Sequence, residues 1–148
     1  MTLTLRKRSL WRRLIAVVAV AAVVLISVGC TPEQLAVRDL VNASRRQAGL
    51  AELPIDVNAN AKAQPWAEHL ARIGRLEHSN LAEGMPPGWQ KLGENVGRGP
   101  SLQAIQDAFM RSPGHRANIL DPAWNSVGAG VAVAPDGTVY VVQLFARY

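Results

Sequence analysis

Residues 112–120, SPGHRANIL, predict a short helix with a strong start signal. Ser112 is expected to be the N-cap, with its hydroxyl accepting a hydrogen bond from a backbone N–H of the first turn. Pro113 then occupies the first helical position, where its missing N–H costs nothing. His115 falls in the first turn, where the positive end of the helix dipole disfavours imidazolium. Because neutral imidazole ligates metals and accepts protons, this stretch is the strongest functional signal in the chain.

Three further helices are predicted upstream, each between a capping residue and a glycine or proline, over residues 31–49, 56–74 and 101–113. The apolar spacing of the first helix places Arg45 on its solvent side. Pro65 is expected either to kink the second helix or to mark its true start.

Residues 84–100 predict an irregular segment, since they contain eight glycines and prolines. Flanking glycines in the sequence GENVG are expected to hold Glu94 in a fixed place. Two strands, 127–134 and 138–145, follow the SPGHRANIL helix and are joined by a turn signal at 135–137. The small residues at 128–130 predict a closely packed helix on the first of these strands. Helices followed by a terminal hairpin indicate an α+β fold.

The amino-terminal segment has the form of an export signal. Five of the 16 basic residues precede Leu14 and no acidic residue precedes Glu33, so the other 11 basic residues balance the 11 acidic ones. An apolar run of 15 residues, 14–28, follows the basic start and is shorter than a usual membrane span. We therefore predict a signal peptide over residues 1–30 and a single domain over residues 31–148, and the high pI gives no indication of nucleic-acid binding.

Cys30, the one cysteine of the chain, directly follows the apolar run. The segment ISVGC at 26–30 resembles a bacterial lipobox, in which the cysteine is lipidated, although Ser27 departs from that pattern. Ordinary cleavage after Gly29 is the alternative. With either outcome the protein is expected to be extracytoplasmic, secreted or anchored as a lipoprotein, and no disulfide can form within the domain.

Three residues stand out as a candidate site: His78, Glu94 and His115. Each is predicted to lie in or beside irregular backbone, where functional residues concentrate. Two imidazoles and a carboxylate are a usable set of divalent-metal ligands and equally a usable acid–base set. Composition alone does not show whether they meet in space.

The motifs HS at 78–79, GENV at 93–96 and SPGHRANIL at 112–120, in that order before a terminal hairpin, resemble those of the CAP superfamily. This is the family of cysteine-rich secretory, antigen 5 and pathogenesis-related proteins, also called the SCP domain. The resemblance covers about residues 33–148, and the lack of cysteine pairs points to its bacterial branch. It implies a three-layer α-β-α sandwich around a central antiparallel sheet, with a cleft that holds two histidines and acidic residues.

Carried over to this chain, the resemblance makes His78 and His115 the two cleft histidines and Glu94 the acid of the Gly-Glu-Asn motif. Eukaryotic members of the family commonly carry a second acid on the helix before the second histidine, and Ser112 stands in that place here, a departure that is common in bacterial relatives. His78 and His115 remain as candidate ligands of a divalent metal such as zinc. Glu94 either acts directly in the cleft or holds backbone N–H groups of a nearby loop.

Two functional hypotheses follow. In the first, the protein is a non-enzymatic extracytoplasmic binding domain that holds a divalent cation and takes a lipid or cell-envelope component as ligand. In the second, it is a cell-envelope hydrolase of peptide or peptidoglycan, with Glu94 as base. Ser112 is a poor nucleophile in that hypothesis, because its oxygen is expected to cap the helix. We expect a monomer whose membrane contact is through the leader or a lipidated Cys30.

Overall fold

The structure, a computed structural model, describes residues 30–148, so the predicted leader up to Gly29 lies outside the described residues. The described part forms four helices and three strands: α1 (Pro32–Gln47), α2 (Val57–Ile73), β1 (Lys91–Gly99), α3 (Leu102–Arg111), α4 (Pro113–Ile119), β2 (Ser126–Val133) and β3 (Val139–Arg147). Within residues 30–148, no helix combines the length and apolarity needed to cross a membrane.

The three strands form one antiparallel sheet in the order β1-β3-β2, with β3 in the centre. Helix α2 packs on one face, where its alanines and Leu70 meet Val142 and Leu144. Helices α1, α3 and α4 cover the other face around Phe109 and Phe145. The predicted α+β fold, the three-layer α-β-α arrangement and the carboxy-terminal hairpin are therefore confirmed.

The predicted helix starts are largely confirmed by their hydrogen bonds. Thr31 forms a capping box with Gln34 at the start of α1, and Ser101 accepts from the N–H of Ala104 at the start of α3. Asp56 caps α2 by accepting two backbone N–H groups, so this helix begins before Pro65 and runs through it. Pro65 is therefore not the helix start.

Helix α2 and strand β2 approach each other closely because β2 carries glycine where they meet. A Cβ at Gly128 would lie 2.4 Å from the Cβ of Ala59. The side chains of α2 also bond to the outer edge of β2: Ala129 N–H donates to Asn60 Oδ1 at 2.7 Å. Gln64 both accepts from Val131 N–H and donates to its carbonyl. These two amides occupy backbone groups that would otherwise attract another strand.

The irregular segment predicted over 84–100 is wrong for its second half, because residues Lys91–Gly99 form β1. Glycine weakens a strand in isolation, but it is required where a helix or an aromatic ring lies against the backbone. A Cβ at Gly93 would meet the Trp124 ring at 2.9 Å, and one at Gly97 would meet the Phe109 ring at 2.7 Å. The glycines of β1 thus make room for the packing of aromatic rings.

Arg45 is not on the solvent side of α1 as predicted, but is 1% exposed. Its guanidinium donates to the carbonyls of Ala51, Ile119 and Asp121 at 2.8–2.9 Å. Apolar spacing predicts which side of a helix is buried, and an arginine that bonds backbone carbonyls escapes that rule. Arg45 therefore joins α1 to the carboxy-terminal end of α4.

Candidate functional site

The candidate site lies at β1, an edge strand of the sheet. Glu94 is in the middle of this strand and pairs with Leu144 of β3. His78 lies in the segment that follows α2, and His115 lies in the first turn of α4. The three residues predicted from the sequence thus come from three separate elements that meet around one strand.

Glu94 holds the segment that carries His78. Its side chain is 2% exposed, and its Oε1 accepts from His78 Nδ1 at 2.8 Å and from the Ser79 N–H at 3.0 Å. Its Oε2 accepts from the Ser79 hydroxyl at 2.7 Å. A buried carboxylate needs such partners, because an unpaired charge in this position would be costly. Glu94 therefore holds the loop at Ser79, which is one of the two roles that the sequence left open for it.

The same bond orients the ring of His78. With Nδ1 donating to the carboxylate, the neutral ring has its lone pair on Nε2. The His78 side chain is 61% exposed, so this second nitrogen can be reached from solvent. A histidine oriented by a carboxylate is the usual arrangement both for a metal ligand and for a general base.

His115, in the first turn of α4, is close enough to His78 for the two rings to interact electrostatically. Its ring packs against Phe109 with the centroids 4.8 Å apart. Burial, and then the nearby His78, lower the pKa of His115 below the usual value of a histidine. The neutral ring predicted from the sequence agrees with this direction, although its causes are burial and a neighbouring imidazole.

Two asparagines fix α4, and hence His115, against β1. Asn95 Nδ2 donates to the backbone carbonyl of His115 at 3.1 Å. Asn118 Nδ2 donates to the carbonyl of Glu94 and to Asn95 Oδ1, at 3.2 and 2.9 Å. The two motifs that contain these residues are thus bonded to each other directly.

The network continues through glutamines that sequence reasoning missed. Asn95 Nδ2 also donates to Gln143 Oε1, Gln143 donates to Gln106, and Gln106 donates to the hydroxyl of Ser44. Within residues 30–148, every buried side-chain nitrogen and oxygen has such a partner. A signal was present for Gln143, which is the single polar residue in the apolar run YVVQLF of β3. A polar residue inside such a run indicates a specific buried partner.

The predicted capping role of Ser112 is wrong. Ser112 does hold the N-cap position, but its side chain makes no capping hydrogen bond. The backbone carbonyl of Ser112 accepts from Arg116 N–H at 2.8 Å, and Pro113 removes one of the N–H groups that would need a cap. The hydroxyl is therefore not committed to the start of the helix.

The donor set fits a weakly held metal at most. Among residues 30–148 no group of three or more His, Cys, Asp or Glu side chains is arranged to hold a metal ion. His78 and His115 offer two imidazoles, whereas zinc sites usually have three or four protein ligands. Cys30 is not part of this group, since its Sγ accepts from Asn60 Nδ2 at 3.3 Å.

Comparison with known proteins identifies relatives of this chain. The model of the cysteine-rich secretory protein family, CAP, matches residues 38–145. The uncharacterized Bacillus subtilis protein YkwD is 28% identical over 118 residues, which are 74% of this chain and 45% of that protein. The chain thus spans less than half the length of this curated relative.

Solved structures with similar folds include two bacterial proteins. An outer surface protein of Borrelia burgdorferi has a TM-score of 0.67 at 19% identity, covering 80% of this chain and 96% of that one. An extracellular protein of Bacillus anthracis that contains an SCP domain also has a TM-score of 0.67, at 22% identity, covering 81% of this chain and 45% of that one. At these identities the likeness shows the fold.

Proposed function

Because this chain belongs to the CAP family of cysteine-rich secretory proteins, we propose that it is an exported protein that binds a cell-envelope component, with His78 and His115 holding a divalent cation such as zinc. The observation that supports a cation site is the 2.8 Å hydrogen bond between Glu94 and His78. This bond orients the His78 ring and leaves its exposed Nε2 free. His115 provides a second imidazole, and its lowered pKa keeps that ring neutral at neutral pH.

Export is supported by the basic and apolar leader over residues 1–30. It is also supported by the Borrelia outer surface protein and the extracellular Bacillus anthracis protein among the similar structures. Cys30 directly precedes the cap of α1, so a lipidated Cys30 would place the domain against the membrane without a linker. The mass of the mature amino terminus distinguishes lipidation of Cys30 from ordinary cleavage.

Zinc titration of the full chain, purified in mild detergent, tests the cation. We expect saturable binding that His78→Ala abolishes and Glu94→Gln weakens by about tenfold or more, the usual effect of losing the group that orients a ligand. Binding should weaken as the pH falls, because protons compete for imidazole. Owing to the lowered pKa of His115, this competition at its ring should begin at a lower pH than for an ordinary histidine.

The matched control is His69→Ala, which removes a histidine bonded to Glu77 and Arg72. This variant should bind zinc as the parent chain does, with all variants checked for folding by circular dichroism. Equal zinc binding by the His78 and His69 variants would rule out the proposed site.

Hydrolysis of envelope peptide or peptidoglycan is the second candidate function, and the hydrogen-bonded pair of Glu94 and His78 favours it. Because the carboxylate of Glu94 already accepts three hydrogen bonds, the base in this reaction would be His78 Nε2, which could activate a water molecule. The Ser112 hydroxyl does not cap α4, so the objection that capping makes Ser112 a poor nucleophile no longer applies. Release of new amino or reducing ends from purified peptidoglycan, lost in His78→Ala, would support this function, and the lack of any turnover would exclude it.

A further inference from the structure

A cavity of about 410 Å³ lies beside the Glu94–His78 pair, between α2 and residues 79–84. This volume falls within the range of small-ligand sites. Pro65 and Trp66 contribute its apolar surface, and Ser79, Asn80 and Glu83 line it from the facing segment. The sequence motifs described above assign no ligand to any of these residues.

The wall opposite α2 is held in place by one lysine. Lys62 Nζ donates to the backbone carbonyls of Asn80 and Glu83 at 2.6 and 2.7 Å. These two bonds fasten an otherwise irregular segment to a helix that is itself packed on the sheet. The cavity is therefore largely formed before any ligand binds, which reduces the ordering cost of binding.

The indole ring of Trp66 is also fixed. Its N–H donates to the carbonyl of Glu77 at 3.1 Å, and His69 stacks on it with a centroid distance of 4.7 Å and an interplanar angle of 25°. The polar atom of the ring is thus already used and His69 covers one of its faces, so a ligand in the cavity would meet ring carbon and the neighbouring π surface only where His69 leaves it open. Such a surface favours a partner that presents weakly positive C–H groups.

The rim supplies polar groups whose charges balance. In the part of the chain that the structure describes, no hydrogen bond uses the side chains of Asn80 or Glu83, so the amide and the carboxylate are free. Lys62 and Glu83 offset each other in charge, which disfavours both anionic and cationic ligands. A lipid chain would leave these groups without partners, at a cost in free energy. A neutral ring with one C–H face and a rim of hydroxyls satisfies both surfaces.

The cavity is also adjacent to the candidate site through Ser79. Ser79 lines the cavity and donates its N–H and its hydroxyl to Glu94, and His78 is the preceding residue. A ligand longer than one unit could therefore occupy the cavity and reach His78. This arrangement suits a polymer of rings.

We propose that this cavity binds a neutral pyranose unit of a cell-envelope glycan, with its C–H face on Trp66 and its hydroxyls on Asn80 and Glu83. The proposal rests on the envelope-binding function above and names the ligand class. The probe is a tetrasaccharide of N-acetylglucosamine, titrated against the full chain by calorimetry. Saturable binding is expected, weakened at least tenfold by Trp66→Phe and by Asn80→Ala.

Asn80→Ala guards against a folding artefact, since Asn80 is exposed and its backbone bond to Lys62 is retained. The matched control is Trp89→Phe, an exposed tryptophan outside the cavity lining, which should bind the sugar as the parent does. Failure of the tetrasaccharide to bind, equal affinity in all three variants, or displacement by an envelope stem peptide or a fatty acid would overturn the proposal. If Asn80→Ala still binds zinc, the cation site works independently of the cavity, and a failed sugar titration would count against the sugar proposal alone.

Discussion

The substitution Gly130→Ala is expected to lower the free energy of unfolding by about 3 kcal/mol or more, at the upper end of the overpacking range. A Cβ at Gly130 would lie 2.1 Å from the carbonyl oxygen of Ala63 and 2.3 Å from its carbonyl carbon. Both atoms belong to the backbone of α2, so no side-chain rotation can relieve the contact. The helix would have to move away from β2, and the bonds from Gln64 to Val131 would lengthen with it.

The matched control is Gly114→Ala in α4, where a Cβ would have no neighbour within 4 Å. Alanine there should be neutral or stabilising by up to about 1 kcal/mol, because glycine is the poorer helix former. Urea unfolding followed by circular dichroism measures both changes. If Gly130→Ala unfolded at the same urea concentration as Gly114→Ala, the close contact between α2 and β2 would be disproved.

The sequence predicts the parts of this fold that depend on local chemistry. Helix starts are visible at Thr31, Asp56 and Ser101 because a capping side chain acts within three residues of itself. The small residues of β2 likewise predict a helix against that strand, and Gly128 and Gly130 do face α2. Each of these inferences needs only neighbours in the chain and a known geometry.

Strand β1 and the position of Arg45 depend on distant partners and were not predicted. Gly93 and Gly97 suggest irregular backbone until the rings of Trp124 and Phe109 are placed against them. Arg45 is an ordinary exposed helix residue by its spacing, and its buried carbonyl partners lie more than 70 positions away in two cases. Sequence patterns of charge and apolarity do not indicate hydrogen bonds between residues so far apart in the chain.

For the site, the sequence named His78, Glu94 and His115, and the structure places them around one strand. Their mutual roles could not be obtained in the same way. The bond from His78 to Glu94 determines which imidazole nitrogen is free, and the uncapped Ser112 changes which hydroxyl is available. Both depend on the direction in which a side chain points, which residue spacing does not specify.

Arg45→Met is expected to lower the free energy of unfolding by about 2–4 kcal/mol. Methionine keeps the helix propensity and much of the volume, but removes the donors to Ala51, Ile119 and Asp121. Hydrogen bonds from a charged group contribute about 1.5–3 kcal/mol, and an acceptor left buried without a donor adds its own cost. Burial lowers the pKa of Arg45, and relief of this desolvation in the variant offsets part of the loss.

The neighbouring Arg46→Met is the matched control, since Arg46 is 57% exposed and pairs with Glu52 at the surface. Such a pair contributes up to about 1 kcal/mol, so its loss should shift the urea midpoint only slightly. Because Arg45 binds the carbonyl of the last residue of α4, Arg45→Met should also speed amide exchange in Pro113–Ile119 more than in α2. Equal destabilisation by the two variants, or uniform exchange across both helices, would contradict this role. The expected pattern would show that a residue of the first helix, far from the site in sequence, holds the helix that carries His115.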